Sequence, residues 1–268
     1  ILSMTSEYLQ LRARNPNLCI KNDASYHDMY YMNPPAKDLS KIASSDKVKK
    51  VQKDFEATHV RPQRLMKTLF TDEAYVKANV DEARLMRRLF DLACNMQSHD
   101  TDMQLYSLFT DEECYDLWSC NNLYWYLTHA CSPVTDGLMP YREADLLRNI
   151  LDRADAALKE GKNQATLRFG HESCLLPLVA LLELNHYGES YPDVEKLSEQ
   201  WRAYDIFPMA SNVQFVFFHK KGSNDVLVKV LLNEKEAKLP VKTDVAPYYH
   251  WKDVESYYRE KLDKYQHI

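Results

Sequence analysis

The sequence predicts an α/β protein in which a large α-helical insertion caps an α/β core, and three observations predict it. Glycine is scarce, 5 of 268 residues, well under the roughly 7% of average proteins, so few positions are free to take positive φ and helix dominates. From Asp46 to His129 the chain carries helical signatures and no convincing strand. Short β-rich runs stand only on either side of that block, at Leu18–Asn22, Ala165–Phe169, Val213–Phe218 and Val226–Leu232. The expected division is 1–44 as part of the α/β core, 45–137 as the α-helical cap, and 138–268 as the C-terminal part of the core.

The elements follow in order. Ile1 to Arg14 reads as a helix with no capping residue ahead of it, ended by Asn15-Pro16. Leu18–Asn22 is a candidate strand leading into a loop rich in Tyr, Asp and Pro. Asp46 caps a helix to about Thr58, Pro62 sits where a first helical turn tolerates proline, and Thr71-Asp-Glu opens a long helical stretch toward Met96. Thr110 and Glu113 form a capping box for an aromatic helix through Trp118, Tyr124 and Trp125. A helix from Tyr141 to Lys159 places Ala144, Leu147, Ile150, Leu151 and Leu158 on one face. Ala165–Phe169 then reads as a strand, Gly170 to Ser173 as a tight turn, and Cys174 to Leu184 as an apolar helix. The last two β-rich runs make a hairpin turning at Gly222 to Asp225, and Asp253 to Lys264 closes as a helix.

Composition excludes several function classes. With 34 basic and 39 acidic residues the net charge is −5, which disfavours a nucleic-acid partner but leaves room for a small anion in a locally basic pocket. Neither G-x-G-x-x-G nor G-x-x-x-x-G-K occurs, so the common nucleotide cradles are missing. The longest strongly apolar stretch, Cys174 to Leu182, is about half of the ~20 residues that span a bilayer, and no signal peptide is read. Six cysteines contain no C-x-x-C pair, so a zinc ribbon is unsupported, and no metal or other cofactor is expected. Cys114, Cys120 and Cys131 can bridge or pack, with packing favoured.

The chemistry-bearing stretch is Leu167-Arg-Phe-Gly-His-Glu-Ser-Cys-Leu-Leu-Pro177. A histidine and a carboxylate at the N-terminus of a helix stand where free backbone N–H groups and the helix dipole favour an anion. His171 can donate to a phosphate and Glu172 can hold the proton that a leaving oxygen needs. The plainer alternative is that Glu172 complements the dipole and His171 is a satisfied turn residue. His27-Asp28 and His99-Asp100 repeat the dipeptide in loops, where surface hydrogen bonding is the favoured reading. Arg61, Arg64, Lys67, Arg84, Arg87 and Arg88 can supply positive charge to a polyphosphate, but solvation and i,i+4 pairing on helix surfaces is the favoured reading. Tyr115, Trp118, Tyr124, Trp125 and Tyr126 are read as cap core rather than a sugar platform.

LRFGHESCLLPLVALLEL resembles the second signature of the histidine acid phosphatases, branch two of the histidine phosphatase superfamily, in which F-G-H-D precedes an apolar helix. DASYHDMYYMNPP, PQRLMKTLF, EADLLRNILDRADAAL and the stretch from VQFVFFHKK to KDVESYY are similar to bacterial, phytase-like members related to multiple inositol polyphosphate phosphatase. The resemblance spans essentially the whole chain. It implies a histidine-phosphatase-like core and phosphomonoester hydrolysis through a phosphohistidine, with inositol phosphates, phytate above all, as substrates. It assigns His171 and Gly170 to phosphate binding and His171 with Glu172 to catalysis, and needs no metal. It also places the cap over the active site and implies a periplasmic or secreted location.

Two departures from the family pattern matter. Glu172 replaces the aspartate of H-D, and in the related H-A-E form glutamate falls one position later, where Ser173 stands. A misplacement near 1 Å can cost on the order of a hundredfold in rate. The nucleophile motif R-H-G-x-R is missing, since none of the nine histidines follows Arg or precedes Gly. The expectation is a C-terminal portion of a longer phosphatase, inactive alone and completed by a missing N-terminal segment of the same protein.

Overall fold

The computed structural model describes residues 1–32, 34 and 36–265. Its fold is mixed, a large helical part with a small sheet, as the sequence predicts. Twelve α-helices are described: α1 Leu2–Arg14, α2 Lys37–Ala43, α3 Asp46–His59, α4 Gln63–Leu69, α5 Glu73–Asn79, α6 Glu82–Asn95, α7 Asp111–His129, α8 Ala144–Glu160, α9 Glu172–Leu181, α10 Leu197–Gln200, α11 Ala203–Ile206 and α12 Trp251–Tyr265. The strands are β1 Val213–His219, β2 Val226–Leu232, β3 Lys235–Glu236 and β4 Tyr249–His250. Among the described residues no helix is long and apolar enough to cross a membrane.

Local chemistry sets the helix ends. Thr110 accepts from the Glu113 N–H while the Glu113 carboxylate accepts from the Thr110 N–H, the expected capping box of α7. Ser45, not Asp46, caps α3 through the Val48 N–H, because the hydroxyl one residue earlier reaches that donor. The stretch from Thr71 toward Met96 is two helices rather than one. Asp72 caps α5, and Asp81 takes the Arg84 N–H to start α6 afresh. Gly161, at φ +63°, supplies the left-handed residue that ends α8.

Two sequence-predicted strands do not form. Leu18–Asn22 and Ala165–Phe169 are extended or irregular, and no described strand runs beside either to complete a ladder. Leu167 and Phe169 are exposed as a result. The hairpin does form. β1 and β2 pair antiparallel from Val213↔Leu232 to His219↔Val226, with Gly222 at φ +82° in the turn. β3 and β4 both pair with β2, antiparallel, making β2 the centre of the sheet. Its Val228, Val230 and Leu232 are buried at alternate positions, as one-sided burial requires.

The main core lies between β2, α12, α8, α9, α7 and α3. α12 contributes a stripe of Val254, Tyr258 and Leu262, and α8 contributes Leu147 and Leu151. α9 is different, because Cys174 and every residue from Leu176 to Leu181 are buried, so it is wrapped rather than laid on a surface. A second, smaller core joins α4, α5 and α6 to the start of α7 through Leu65, Met66, Val76, Met86, Ala93, Phe109 and Leu117. Arg64 braces it by donating to the Glu113 carboxylate and, at 2.6 Å, to the Leu108 carbonyl.

The aromatic residues of α7 divide by helix face rather than forming a cap core together. Tyr126 is fully buried in the main core, Trp118 and Trp125 are half-buried, and Tyr115 and Tyr124 are exposed. All six cysteines are free thiols. Burial pushes the thiols of Cys120 and Cys131 up to about 12 and about 11, which suits packing rather than reactivity.

Buried polar groups tie the elements together. Asn122 of α7, 2% exposed, donates to the Trp201 carbonyl at 3.0 Å and accepts from the Ala203 N–H at 2.9 Å, joining α7 to the start of α11. Asn122→Ala would leave both backbone groups buried without partners, and should cost about 2–4 kcal/mol in chemical denaturation.

Glu143 and His129 are also buried. Burial pushes the Glu143 carboxyl up from 4.5 to about 8, against the pull of Arg142. Burial, aided by Arg142, pushes His129 down from 6.5 to about 4. The folded protein therefore holds the Glu143 proton that the unfolded chain gives up, so this contribution is complete below about 4.5 and fades as pH rises toward about 8. The His129 contribution runs the other way, present above about 6.5 and lost as pH falls toward about 4. His250, held between Asp225 and Asp244, is raised, so its exposed ion pairs also weaken with rising pH. Glu143→Gln should accordingly remove a fall of about 2 kcal/mol in unfolding free energy between pH 6.5 and 8, read as the difference from wild type.

Candidate functional site

The site is built on the contrast between the two ends of α9. At its C-terminal end the carbonyls are satisfied by α12: the Tyr258 hydroxyl donates to Leu182 O at 2.7 Å and Lys261 Nζ to Leu181 O at 2.8 Å. Lys261 also pairs with Glu183 at 3.0 Å, and Tyr257 donates to the same carboxylate. At its N-terminal end the donors are left open. His171 occupies the N-cap position with extended backbone (φ −112°, ψ 167°), and its side chain accepts nothing from the first turn. Its carbonyl takes the N–H groups of Cys174 and Leu175, at 3.0 and 3.1 Å, while those of Glu172 and Ser173 find no acceptor among the described residues. Serine, threonine or aspartate here would usually fill one of these donors.

The structure thus places Gly170, His171 and Glu172 together at this exposed turn, with Glu172 as the first residue of α9. The helix starts two residues earlier than the apolar pattern alone indicates, which puts His171 at its threshold and Glu172 within the positive end of the dipole. Gly170 has no positive φ. A Cβ there would sit 3.4 Å from Met32 Cε and 3.8 Å from Cys174 Cβ, so the position accepts a methyl but crowds anything branched. The Cys174 thiol donates to Met32 O at 3.2 Å, anchoring the 3₁₀ turn Tyr30–Met32 against the start of α9.

Sequence reasoning missed Arg168. Its neighbours Leu167 and Phe169 face outward, whereas its guanidinium turns inward and donates to Asn149 Oδ1 of α8 at 2.7 Å, with Nε buried and without a partner among the described residues. Burial lowers its pKa, partly offset by Tyr31. Arg168 therefore straps the segment that carries His171 to the surface of α8. The alternation gave no signal for it, because such a run ordinarily buries its apolar residues and exposes the cation, the reverse of what is found.

The remaining candidates lie apart from this turn in the chain and make their own contacts. Asp28 bonds locally to Ser25, and His99 to Asn95, both on exposed loops. Arg61 and Arg64 do not pair within their own helix surface. They cross to Glu112, Asp116 and Glu113 of α7, while Lys67 is simply exposed. Arg88 does follow the local pattern, facing Asp91 at 3.5 Å, and Arg87 reaches Glu56 of α3. Among the described residues no group of three or more His, Cys, Asp and Glu could hold a metal ion.

Human multiple inositol polyphosphate phosphatase 1 is 28% identical over a match covering 45% of this chain and 27% of the human protein. The Bifidobacterium longum multiple inositol polyphosphate phosphatase, in its crystal structure with phosphate, superimposes with a TM-score of 0.58 at 19% identity, covering 88% of this chain and 58% of that one. The same enzyme with inositol hexasulfate gives 0.53 at 19% identity, over 86% of this chain and 56% of that one. These structures share the fold, and the chain spans about a quarter of the human relative and under two thirds of the bacterial one. The sequence model of the histidine phosphatase superfamily (branch 2) matches residues 17–233, most of the chain, so this protein belongs to the histidine phosphatase superfamily, branch 2.

Proposed function

We propose that this chain supplies the phosphate-binding and proton-donating half of a phosphomonoester hydrolase acting on inositol polyphosphates, phytate among them. The observation that carries the reading is the uncapped N-terminus of α9, where the N–H groups of Glu172 and Ser173, without acceptors among the described residues, meet the positive end of the helix dipole, with His171 at the N-cap position. The names of its relatives support the substrate class: the human relative is named for inositol polyphosphates, and the bacterial one binds inositol hexasulfate and phosphate in crystals.

In this reading a histidine nucleophile attacks phosphorus, the P–O bond to the polyol breaks, and Glu172 delivers the proton that the departing alkoxide takes up. His171 and the open N–H groups, with Gly170 leaving room beside them, stabilise the charge on the transferring phosphoryl oxygens. Water then attacks the phosphohistidine and releases inorganic phosphate. The nucleophile, in an R-H-G-x-R motif, comes from a segment outside these 268 residues, so the chain alone turns over no substrate. Residues 45–137 act as the cap over the site, and the family setting favours a periplasmic or secreted enzyme. A broader acid-phosphatase specificity would use the same site. A second reading, a non-catalytic anion-binding module, is favoured by one observation, that none of the nine histidines sits in a nucleophile motif.

Coding sequence upstream of Ile1 separates these readings: an in-frame R-H-G-x-R supports the enzyme, and its absence leaves only the binding module. With the complete enzyme, phosphate release from phytate should exceed that from p-nitrophenyl phosphate, and His171→Ala should lower it on the order of a hundredfold or more. Full activity in His171→Ala would remove the assignment. Glu172→Ala combined with Ser173→Glu rebuilds the H-A-E order and should restore turnover lost in Glu172→Ala.

A further inference from the structure

The arginines of this chain divide by what they touch. Arg61, Arg64 and Arg259 each meet carboxylates closely, Arg259 holding Asp152, Asp155 and Glu255 at 2.7 to 2.9 Å. Arg84, Arg87 and Arg88 of α6 are spent far less. Each guanidinium carries five N–H donors. Yet among the described residues the one side-chain hydrogen bond these three donate is from Arg87 Nη1 to Glu56. Arg88 stands 3.5 Å from Asp91, and Arg84 has no acid within ion-pair distance among the described residues. Their i, i+3 and i+4 spacing sets three like charges side by side, an arrangement that works against the helix unless something negative lies over it.

All three line one cavity of about 440 Å³ between α3, α6 and α7. Gln52, Asn121 and Tyr124 add neutral hydrogen-bonding groups to its wall, which gives the exposed Tyr124 a place. Glu56 and Asp91 are its two carboxylates, so the lining keeps a positive excess. Nothing from the His171 turn borders it.

We infer that this cavity is a second anion site, taking a small molecule that carries two or more phosphate groups. Arg84 and Arg88, one turn apart with Cβ atoms about 5–6 Å from each other, offer forked donors to neighbouring phosphates of one molecule, and Arg87 flanks them. The forks match phosphate oxygens in a way that an ammonium group does not. A ligand with two or more phosphates is indicated because Arg84 and Arg88 are separate forks, each able to engage its own phosphate group of one molecule. The site rests on no reaction at His171.

Calorimetric titration of the 268-residue chain with inositol hexakisphosphate in metal-free buffer tests the inference. Arg84→Ala with Arg88→Ala should weaken one binding event on the order of tenfold or more, while His171→Ala leaves that event unchanged. Arg12→Ala with Arg14→Ala removes the same charge from exposed α1 and should also leave it unchanged. Arg84→Lys with Arg88→Lys, which keeps the charge and the helix, should give an intermediate loss. Unaltered affinity in the Arg84/Arg88 alanine pair, or an equal loss in the α1 pair or in His171→Ala, would overturn the site. Phosphate release by the complete enzyme is a separate readout, so failure here leaves the reading of His171 untouched.

Discussion

The burial of α9 on all sides is the constraint on which the rest of this structure depends. Leu176, Val179, Ala180 and Leu181 are at most 1% exposed, and Pro177 and Leu178 are buried with them. Each large apolar side chain so placed is worth about 1.5–3 kcal/mol. A helix wrapped this way must still satisfy the backbone groups at its ends, and the two ends do so differently. Tyr258 and Lys261 reach from α12 to the C-terminal carbonyls. The N-terminal donors emerge at the surface, where solvent or an anion serves them. The fold therefore leaves open donors at one end as a consequence of fixing the other end.

The elements around α9 hold the turn before it in place. Arg168 straps the approaching segment to α8 through Asn149, and the Cys174 thiol holds the Met32 carbonyl from the other side. Glu143, just ahead of α8, stays buried, and among the described residues its Oε2 has no hydrogen-bond partner. Stability is thus given up in a buried carboxyl whose pKa burial raises to about 8.

Much of this was legible in the sequence, for reasons that particular residues make plain. The capping box of α7 announces itself because Thr110 and Glu113 act on backbone within four residues of each other. The hairpin and α12 follow from alternation and from the 3.6-residue period. His171, Gly170 and Glu172 are adjacent in the chain, so their meeting needed no long-range inference. Strand formation at Leu18–Asn22 and Ala165–Phe169 was not legible, because a five-residue apolar run says nothing about whether another strand runs beside it. The aromatic residues of α7 misled for a related reason: side-chain type does not reveal which helix face a second layer will cover. Arg61 and Arg64 find acids some fifty positions away, pairs that helix periodicity cannot suggest. The cavity beside α6 likewise exists only once α3 and α7 are packed against that helix.

The central claim is that the open N-terminus of α9 binds the phosphate group. The most direct measurement is a titration of orthophosphate into the isotopically labelled chain, following the backbone amide resonances of Glu172 and Ser173 by NMR. The account predicts that both shift saturably and together, with a common dissociation constant. Amides at these two positions that stay fixed while phosphate reaches saturating concentration would contradict it.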